Sequence, residues 1–329
     1  MRAWQLTSLE GPDGLELVEV PDPEPSHFSS PGSGVVIDVH ATGIAFPDVL
    51  MTRGGYQDQP DLPFIPGIEV AGVVAATSAD ATMEVGQRVA SYTQIGALAE
   101  KAVAPVVSTF PLPPELDFAE GAGLVVNYHT AYFGLRTRAA LRGGETVLVH
   151  GAGGGLGSAA LQIARGLGAR SIAVVSSDEK ASLARSAGAD QVVRVDAPWP
   201  QAVRELVGAA AVDVAFDPVG GDRAIDSLRL LRAGGRLLIV GFTSGVIPQV
   251  KVNRLVLGNT SVVGAGYGAY IAVDAAEAAR VDAAVTELVR SGDVRPLISR
   301  RFPFEQADQA FRLIDRREAI GKVVVELRR

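Results

Sequence analysis

Thr146-Val-Leu-Val-His-Gly-Ala-Gly-Gly-Gly-Leu-Gly157 is the stretch whose reading decides the fold. Thr146 to His150 is a β-branched and apolar run, the composition of a strand buried on both faces. Glycines follow at Gly151, Gly153, Gly154, Gly155 and Gly157. Ser158 to Gly168 then reads as a helix, with Leu161, Ala164 and Leu167 on one face and Gly168 as its stop. A strand, a glycine turn and a helix leave unpaired N–H groups and a positive dipole end beside a bare turn, which suits a pyrophosphate. Ala152-x-Gly154-x-x-Gly157 is an Ala-for-Gly version of the dinucleotide fingerprint, and similar turns serve packing alone. The neighbouring chain has to decide between the two.

Downstream, β and α patterns alternate. Strands are predicted at Ser171–Val175, Gln191–Val195, Val212–Phe216, Arg236–Val240 and Ser261–Ala265, with helices over Asp178–Ala187, Trp199–Val207 and Asp222–Leu231 between the earlier ones. This alternation means a parallel sheet covered on both faces, an α/β doubly wound domain. Upstream, residues 1 to about 110 read as short strands with frequent Gly and Pro, among them Leu15–Val20 and Gly34–His40, which suggests a small barrel. Phe46 to Met51 can make one helical turn. Asp117 caps a helix predicted from Phe118 through Leu135, with Glu120 in the capping-box position. After residue 267 come a helix (Val273–Ser291), a second (Glu305–Asp315) and the strand Lys322–Leu327. The nucleotide domain is complete by then, so the tail is assigned back to the first domain. The division is 1–122, 123–267 and 268–329.

The 329 residues give each domain room for a core, and 47% hydrophobic with 20% charged residues is a soluble composition. A net charge of −7 argues against a nucleic-acid surface. No run reaches the length of a membrane span and the N-terminus shows no signal h-region, so a cytoplasmic protein is expected. Cysteine is absent, which removes thiolate metal sites and thiol nucleophiles. The histidines His27, His40, His129 and His150 are not at ligand spacing.

The chain resembles the medium-chain dehydrogenase/reductase superfamily, and within it the zinc-free NADPH:quinone oxidoreductases related to zeta-crystallin. The segments that carry the resemblance are Gly43-Ile-Ala-Phe-Pro-Asp48, Pro63-Phe-Ile-Pro-Gly-Ile-Glu-Val-Ala-Gly-Val-Val74, Gly86-Gln-Arg-Val89, Asn127-Tyr-His-Thr-Ala-Tyr132 and the glycine turn. They continue with Ala187-Gly-Ala-Asp190, Asp213 to Gly221, Gly235 to Phe242 and Gly321-Lys-Val-Val-Val325. The resemblance implies a discontinuous β-rich GroES-like catalytic domain and a Rossmann domain, with the nicotinamide in the cleft between them. Zinc-dependent relatives place ligands where Ala45 and Ile68 stand here, so no metal is expected.

The resemblance also assigns site residues. Gly153, Gly154, Gly155 and Leu156 face the pyrophosphate. An NAD site wants a carboxylate at the end of the second strand. Ser176 and Ser177 stand there instead and leave room for a 2′-phosphate, with Lys180 one turn on. Relatives use a Tyr where Val195 stands, and Arg194 is a candidate replacement. Asp178 near the ribose would favour NAD, and Ser177 could simply cap a helix. NADPH is the cofactor expected. Asn127, Thr130, Asp217, Val219, Gly241, Phe242 and Thr243 are assigned to the nicotinamide end. The alternative for Thr130 is a bond within its helix. Asp48, Tyr56, Phe64, Tyr128 and Tyr267 are candidate substrate-side residues, whose rings could stack on a planar acceptor or sit in the core. His150 is read as a packing residue, and His129 as a conceivable proton carrier. The usual Asn is missing at Ala45.

The activity this implies is hydride transfer from NADPH to a quinone-type conjugated acceptor, with the proton taken from solvent or a hydroxyl such as that of Tyr56. The alternatives are an NADPH-dependent enone, alkenal or enoyl-thioester reductase, and an NADPH-binding sensor or structural protein with little turnover. A homodimer is expected through the apolar edge strand near Val262.

Overall fold

The computed structural model describes residues 1–329 apart from 26–33, 79–80, 82, 197, 209–210 and 329; His27 therefore lies outside the described residues. The chain forms two compact units, residues 1–126 with 296–329, and residues 127–295.

The first unit opens with the antiparallel pair β1 (Arg2–Leu6) and β2 (Leu15–Glu19). It continues through β3 (Gly34–Ile44), α1 (Phe46–Thr52), β4 (Glu69–Thr77), β5 (Arg88–Tyr92), β6 (Lys101–Pro105), β7 (Thr109–Pro111) and α2 (Phe118–Gly121). In the second unit α3 (Thr130–Tyr132) is flanked by π-helical turns, Val125–His129 and Phe133–Arg138. There follow β8 (Thr146–His150), α4 (Gly155–Gly166), β9 (Arg170–Val175), α5 (Asp178–Ser186), β10 (Gln191–Arg194), α6 (Trp199–Val207), β11 (Val212–Asp217), α7 (Asp222–Leu228) and β12 (Leu231–Ile239). The unit closes with α8 (Val252–Gly258), β13 (Ser261–Gly264), α9 (Tyr267–Ile271) and α10 (Ala275–Arg290). The chain then returns to the first unit with β14 (Ile298–Pro303), α11 (Ala307–Asp315) and β15 (Lys322–Glu326).

In the second unit the sheet runs β10-β9-β8-β11-β12-β13, parallel throughout. This is the doubly wound parallel sheet expected from the sequence, and its order places β8 inside and β13 at one edge. β8 is buried at all five residues, as its unbroken apolar pattern requires. The first unit holds a sheet ordered β14-β15-β3-β4-β5-β7, with β6 also on β3. Its core joins the two ends of the chain: Trp4, Leu6, Ile44, Val49 and Phe64 pack with Phe304, Phe311, Val323 and Val325. The Trp4 indole donates to the Phe304 carbonyl at 2.8 Å. No described helix is long and apolar enough to cross a membrane.

Three elements differ from the sequence reading. The predicted helix from Phe118 through Leu135 is broken after one turn. Its cap forms as expected, Asp117 accepting from Glu120 N at 2.7 Å and Glu120 from Asp117 N at 2.9 Å. Beyond it Gly121 and Gly123 pack so closely on Leu112, Ile298 and Lys322 that the chain turns before helix resumes. The predicted helix to Leu231 ends at Leu228, because Leu231 already opens β12. The return to the first unit comes at Pro296, where the sequence reading has residue 268. α10 stays with the second unit: Leu288 packs on Gly166, Thr137 bonds Glu277, and Gln162 bonds Arg295.

Candidate functional site

The glycine turn lies at the carboxyl end of β8. Gly154 is the extended cap of α4, and no side chain satisfies the first amides of the helix. The first helical bond returns from Ser158 N to Gly154 O, so the amides of residues 155–157 have no acceptor one turn behind. A Cβ at Gly157 would lie 2.2 Å from the Gly151 carbonyl oxygen, and one at Gly153 would lie 2.4 Å from the Lys180 Cβ. Neither position admits a side chain. A bare concave turn with open amides at the positive end of a 12-residue helix has the chemistry of a pyrophosphate cradle.

Two further turns line up with it. Val219 and Pro218 pack on Gly151. Asp217 holds its own turn, one carboxylate oxygen accepting from Val219 N at 2.8 Å and Gly220 N at 2.9 Å. Its other oxygen is buried with no hydrogen-bond partner, and burial pushes the carboxyl up. Thr243 N donates to Pro218 O at 3.0 Å, which ties the Gly241–Thr243 segment to the same edge. Phe242 stands exposed there. The structure thus gathers Gly153–Leu156, Asp217, Val219 and Gly241–Thr243 at the carboxyl ends of adjacent strands.

Ser176, Ser177, Lys180 and Arg194 form a second group, at the ends of β9 and β10. Ser177 caps α5, accepting from Lys180 N at 3.2 Å. The Lys180 stem is pressed on Gly153, and burial lowers its ammonium pKa. Arg194 is engaged by Asp178 at 2.5 Å and Asp196 at 2.8 Å. Asp178, the carboxylate that would suit ribose hydroxyls, is therefore charge-paired, and Lys180 is the cation packed on the turn.

Asn127 and the fully buried His129 lie in the π-helical turn before Thr130. π turns inside helices recur at functional sites, because they displace side chains from the regular helical face. Tyr128 is 2% exposed and donates to the Arg295 carbonyl at 3.2 Å, which leaves little ring face for an acceptor. Tyr267 is also buried, its hydroxyl 3.3 Å from His129 Nδ1. His150 is a packing residue, as its strand position implies: Nε2 lies 2.8 Å from the Ser227 hydroxyl and the ring meets Trp199 edge-on.

In the first unit Asp48 is fully buried in the first turn of α1. One oxygen accepts from Ala45 N at 2.8 Å, and the other has no hydrogen-bond partner. Burial pushes its carboxyl up to about 7. Ala45 and Tyr56 are half-buried beside the core that includes Phe64 and Ile68. Ala45 and Ile68 carry no lone pair for a metal, and the described residues contain no cluster of three or more His, Cys, Asp or Glu able to hold one. Sequence reasoning missed three residues here. Glu69 and Lys322 form a buried ion pair at 2.5 Å, and Glu69 also accepts from Val126 N at 2.7 Å. A Cβ at Gly43 would strike the Ala122 carbonyl and the Lys322 stem, so this glycine leaves the slot in which the lysine lies. Glu69 and Lys322 both fall inside the family-like segments, and that was the available signal. Tyr92, whose phenol is held above its ordinary value chiefly by burial, lies in no such segment.

Comparison with known proteins agrees with this architecture. The family model "Alcohol dehydrogenase GroES-like domain" matches residues 31–114, and "Zinc-binding dehydrogenase" matches residues 155–286. Quinone oxidoreductase-like protein 2 of Bos taurus is 36% identical over 89% of this chain and 85% of its own length. Quinone oxidoreductase of Rattus norvegicus is 32% identical over 99% of this chain and 98% of its own. The quinone oxidoreductase of Thermus thermophilus, whose structures include a complex with NADPH, superposes with a TM-score of 0.82 at 37% identity, over 99% of this chain and 100% of that one.

Proposed function

The chain belongs to the zinc-free, quinone oxidoreductase-like branch of the medium-chain dehydrogenase/reductase family, and from that premise we propose that it is a cytoplasmic, homodimeric enzyme that uses NADPH to reduce a quinone-type conjugated acceptor without a metal. The observation that carries the choice of cofactor is the packing of Lys180 against Gly153, beside a β9 that ends in Ser176 and Ser177. A cation and two small hydroxyl residues suit a 2′-phosphate where an NAD site would place a carboxylate. The solved relative from Thermus thermophilus, in complex with NADPH, supports the same reading.

The residues fit the cofactor in distinct roles. Gly153, Gly154, Gly155 and Leu156 would hold the pyrophosphate, and Ser176, Ser177 and Lys180 the 2′-phosphate. Arg194 closes this corner through Asp178. Asn127, Thr130, Asp217, Val219 and Gly241–Thr243 would orient the nicotinamide end. NADPH when bound supplies a hydride, and the protein contributes alignment and exclusion of water. Asp48 and Tyr56 are assigned to the acceptor side. With Ala45 and Ile68 at the positions where zinc-dependent relatives carry ligands, the acceptor must be electron-poor enough to take hydride without a Lewis acid.

The test is a steady-state comparison of benzoquinones, naphthoquinones and α,β-unsaturated ketones with NADPH. Quinone turnover is the expected result. Turnover with enones alone would make the enzyme a double-bond reductase, and tight NADPH binding with no turnover would make it a binding protein.

A further inference from the structure

The ring of His150 is well packed, but one of its nitrogens is left over. Nε2 lies 2.8 Å from the Ser227 hydroxyl, and that hydroxyl donates its single proton to the Arg223 carbonyl at 2.8 Å. The proton between histidine and serine is therefore the histidine's, so Nε2 carries it and Nδ1 presents a bare lone pair. Burial first, and then the Arg223 charge, push the imidazolium down to about 3, and the ring is neutral at ordinary pH. Nδ1 is buried with no hydrogen-bond partner.

Asp217 leaves a second such atom on the neighbouring strand. Oδ1 accepts from Val219 N and Gly220 N, and Oδ2 is buried with no partner. β8 and β11 pair in parallel, with Ala215 beside Leu148 and Phe216 beside Val149. The next step along this register sets Asp217 beside His150. Side chains alternate across a sheet, so Asp217 follows Ala215, and His150 follows Leu148, onto one face. Ala215 and Leu148 pack there with Trp199 of α6 and Ala224 and Leu228 of α7. The His150 ring meets Trp199 on the same face. The Arg223 charge bears on both groups, which places them in one neighbourhood. Both residues are fully buried.

Two buried acceptors side by side call for a donor that reaches both, because each is costly to leave unmet. Neighbouring strands lie about 4.8 Å apart, close to the span of two hydrogen bonds through one oxygen. Among the described residues no third His, Cys, Asp or Glu joins them as a metal ligand. Water has two O–H groups and suits such a place.

We propose that one buried water sits between the carboxyl ends of β8 and β11, donates one O–H to His150 Nδ1 and the other to Asp217 Oδ2, and sets the spacing of the two turns that follow. Gly151 comes directly after His150 and opens the glycine turn. Pro218 and Val219 come directly after Asp217 and pack on Gly151. The water thus ties the root of the turn assigned to the pyrophosphate to the root of the turn assigned to the nicotinamide end. His150 is a positioning residue that acts through it. This role rests on the NADPH reading proposed above, whereas the water site stands on the two acceptors alone.

A crystal structure of the cofactor-free protein, at a resolution that shows ordered waters, tests the site. One water within about 3.2 Å of both atoms is expected, and a direct Asp217–His150 bond or no water between them would overturn it. His150→Gln keeps a donor for Ser227 and removes the acceptor at the Nδ1 position, and a thermal melt establishes that it folds. NADPH spans both turns, while adenosine 2′,5′-bisphosphate lacks the nicotinamide half. By calorimetric titration, His150→Gln is expected to weaken NADPH binding about tenfold and to leave adenosine 2′,5′-bisphosphate binding unchanged. Undiminished NADPH affinity, or an equal loss for both ligands, would overturn the positioning role. A wild type that binds neither ligand would remove the NADPH reading and that role together, and the crystal structure would still decide the water.

Discussion

At the residue scale, two buried ionisable groups in different units push stability in opposite directions with pH. The Asp48 carboxyl is raised by burial from 3.8 to about 7. Between those values the folded state holds a proton that the unfolded chain has lost, so stability falls as pH rises through the window. His150 is lowered by burial from 6.5 to about 3, so its contribution is lost as pH falls below 6.5. Asp48→Asn keeps an acceptor for Ala45 N and removes the titration. Its urea unfolding free energy should gain on the wild type by up to ~1.4 kcal/mol per pH unit between about pH 4 and 7, and parallel curves would contradict the assignment. Gly153→Val adds atoms where Lys180 already packs, so NADPH affinity should fall at least about tenfold by nicotinamide fluorescence titration. The turn and the serines after β9 were legible because adjacent residues spell them out. The Glu69–Lys322 pair, with partners 253 positions apart, and the His129–Asp282 contact were not, since only the fold brings them together.

At the scale of elements, the alternation that marks parallel strands was readable, because strands buried on both faces leave unbroken apolar runs. The segment leading from α2 into the second unit was misread as one helix: Gly121 and Gly123 fit a helical pattern, and the close packing that turns the chain there is tertiary. Glu69 on β4 and Lys322 on β15 are joined across β3, the strand between them in the sheet. Lys322→Met should cost about 3–5 kcal/mol in urea unfolding, because it leaves a buried carboxylate unbalanced. The double variant Glu69→Gln with Lys322→Met should cost less than Lys322→Met alone. A double variant as unstable as the sum of the single ones would show that the pair is not coupled. At the sheet edge, β13 pairs with β12 alone among the described strands, and Val262, Val252, Val256 and Leu257 stand exposed on or near it. A second copy that continues the sheet from β13 would cover this apolar edge. Val262→Lys should convert a dimer to a monomer in sedimentation at micromolar concentration, and a wild-type monomer there would remove the homodimer.

At the scale of the whole molecule, both units conform to elementary rules. One is a parallel sheet whose turns at the carboxyl ends gather the residues assigned to the cofactor. The other is a discontinuous β-rich unit whose core joins Trp4 to Phe304 and Phe311. The discontinuity was foreseeable because the nucleotide domain is complete before the chain ends. The point of return was not, since α10 gives no local sign of which unit it serves. The proposed function draws on each unit separately: a bare glycine turn with open helix amides in one, assigned to a phosphorylated cofactor, and in the other Ala45 and Ile68, which offer no side-chain ligand for a metal. The most direct test is an anaerobic single turnover of chelator-treated protein with a naphthoquinone and NADPH deuterated at the transferring C4 position. The account predicts one hydroquinone formed per NADPH consumed, a rate slowed by the deuterium, and no effect of the chelator. NADPH left unconsumed, or a rate abolished by the chelator, would contradict it.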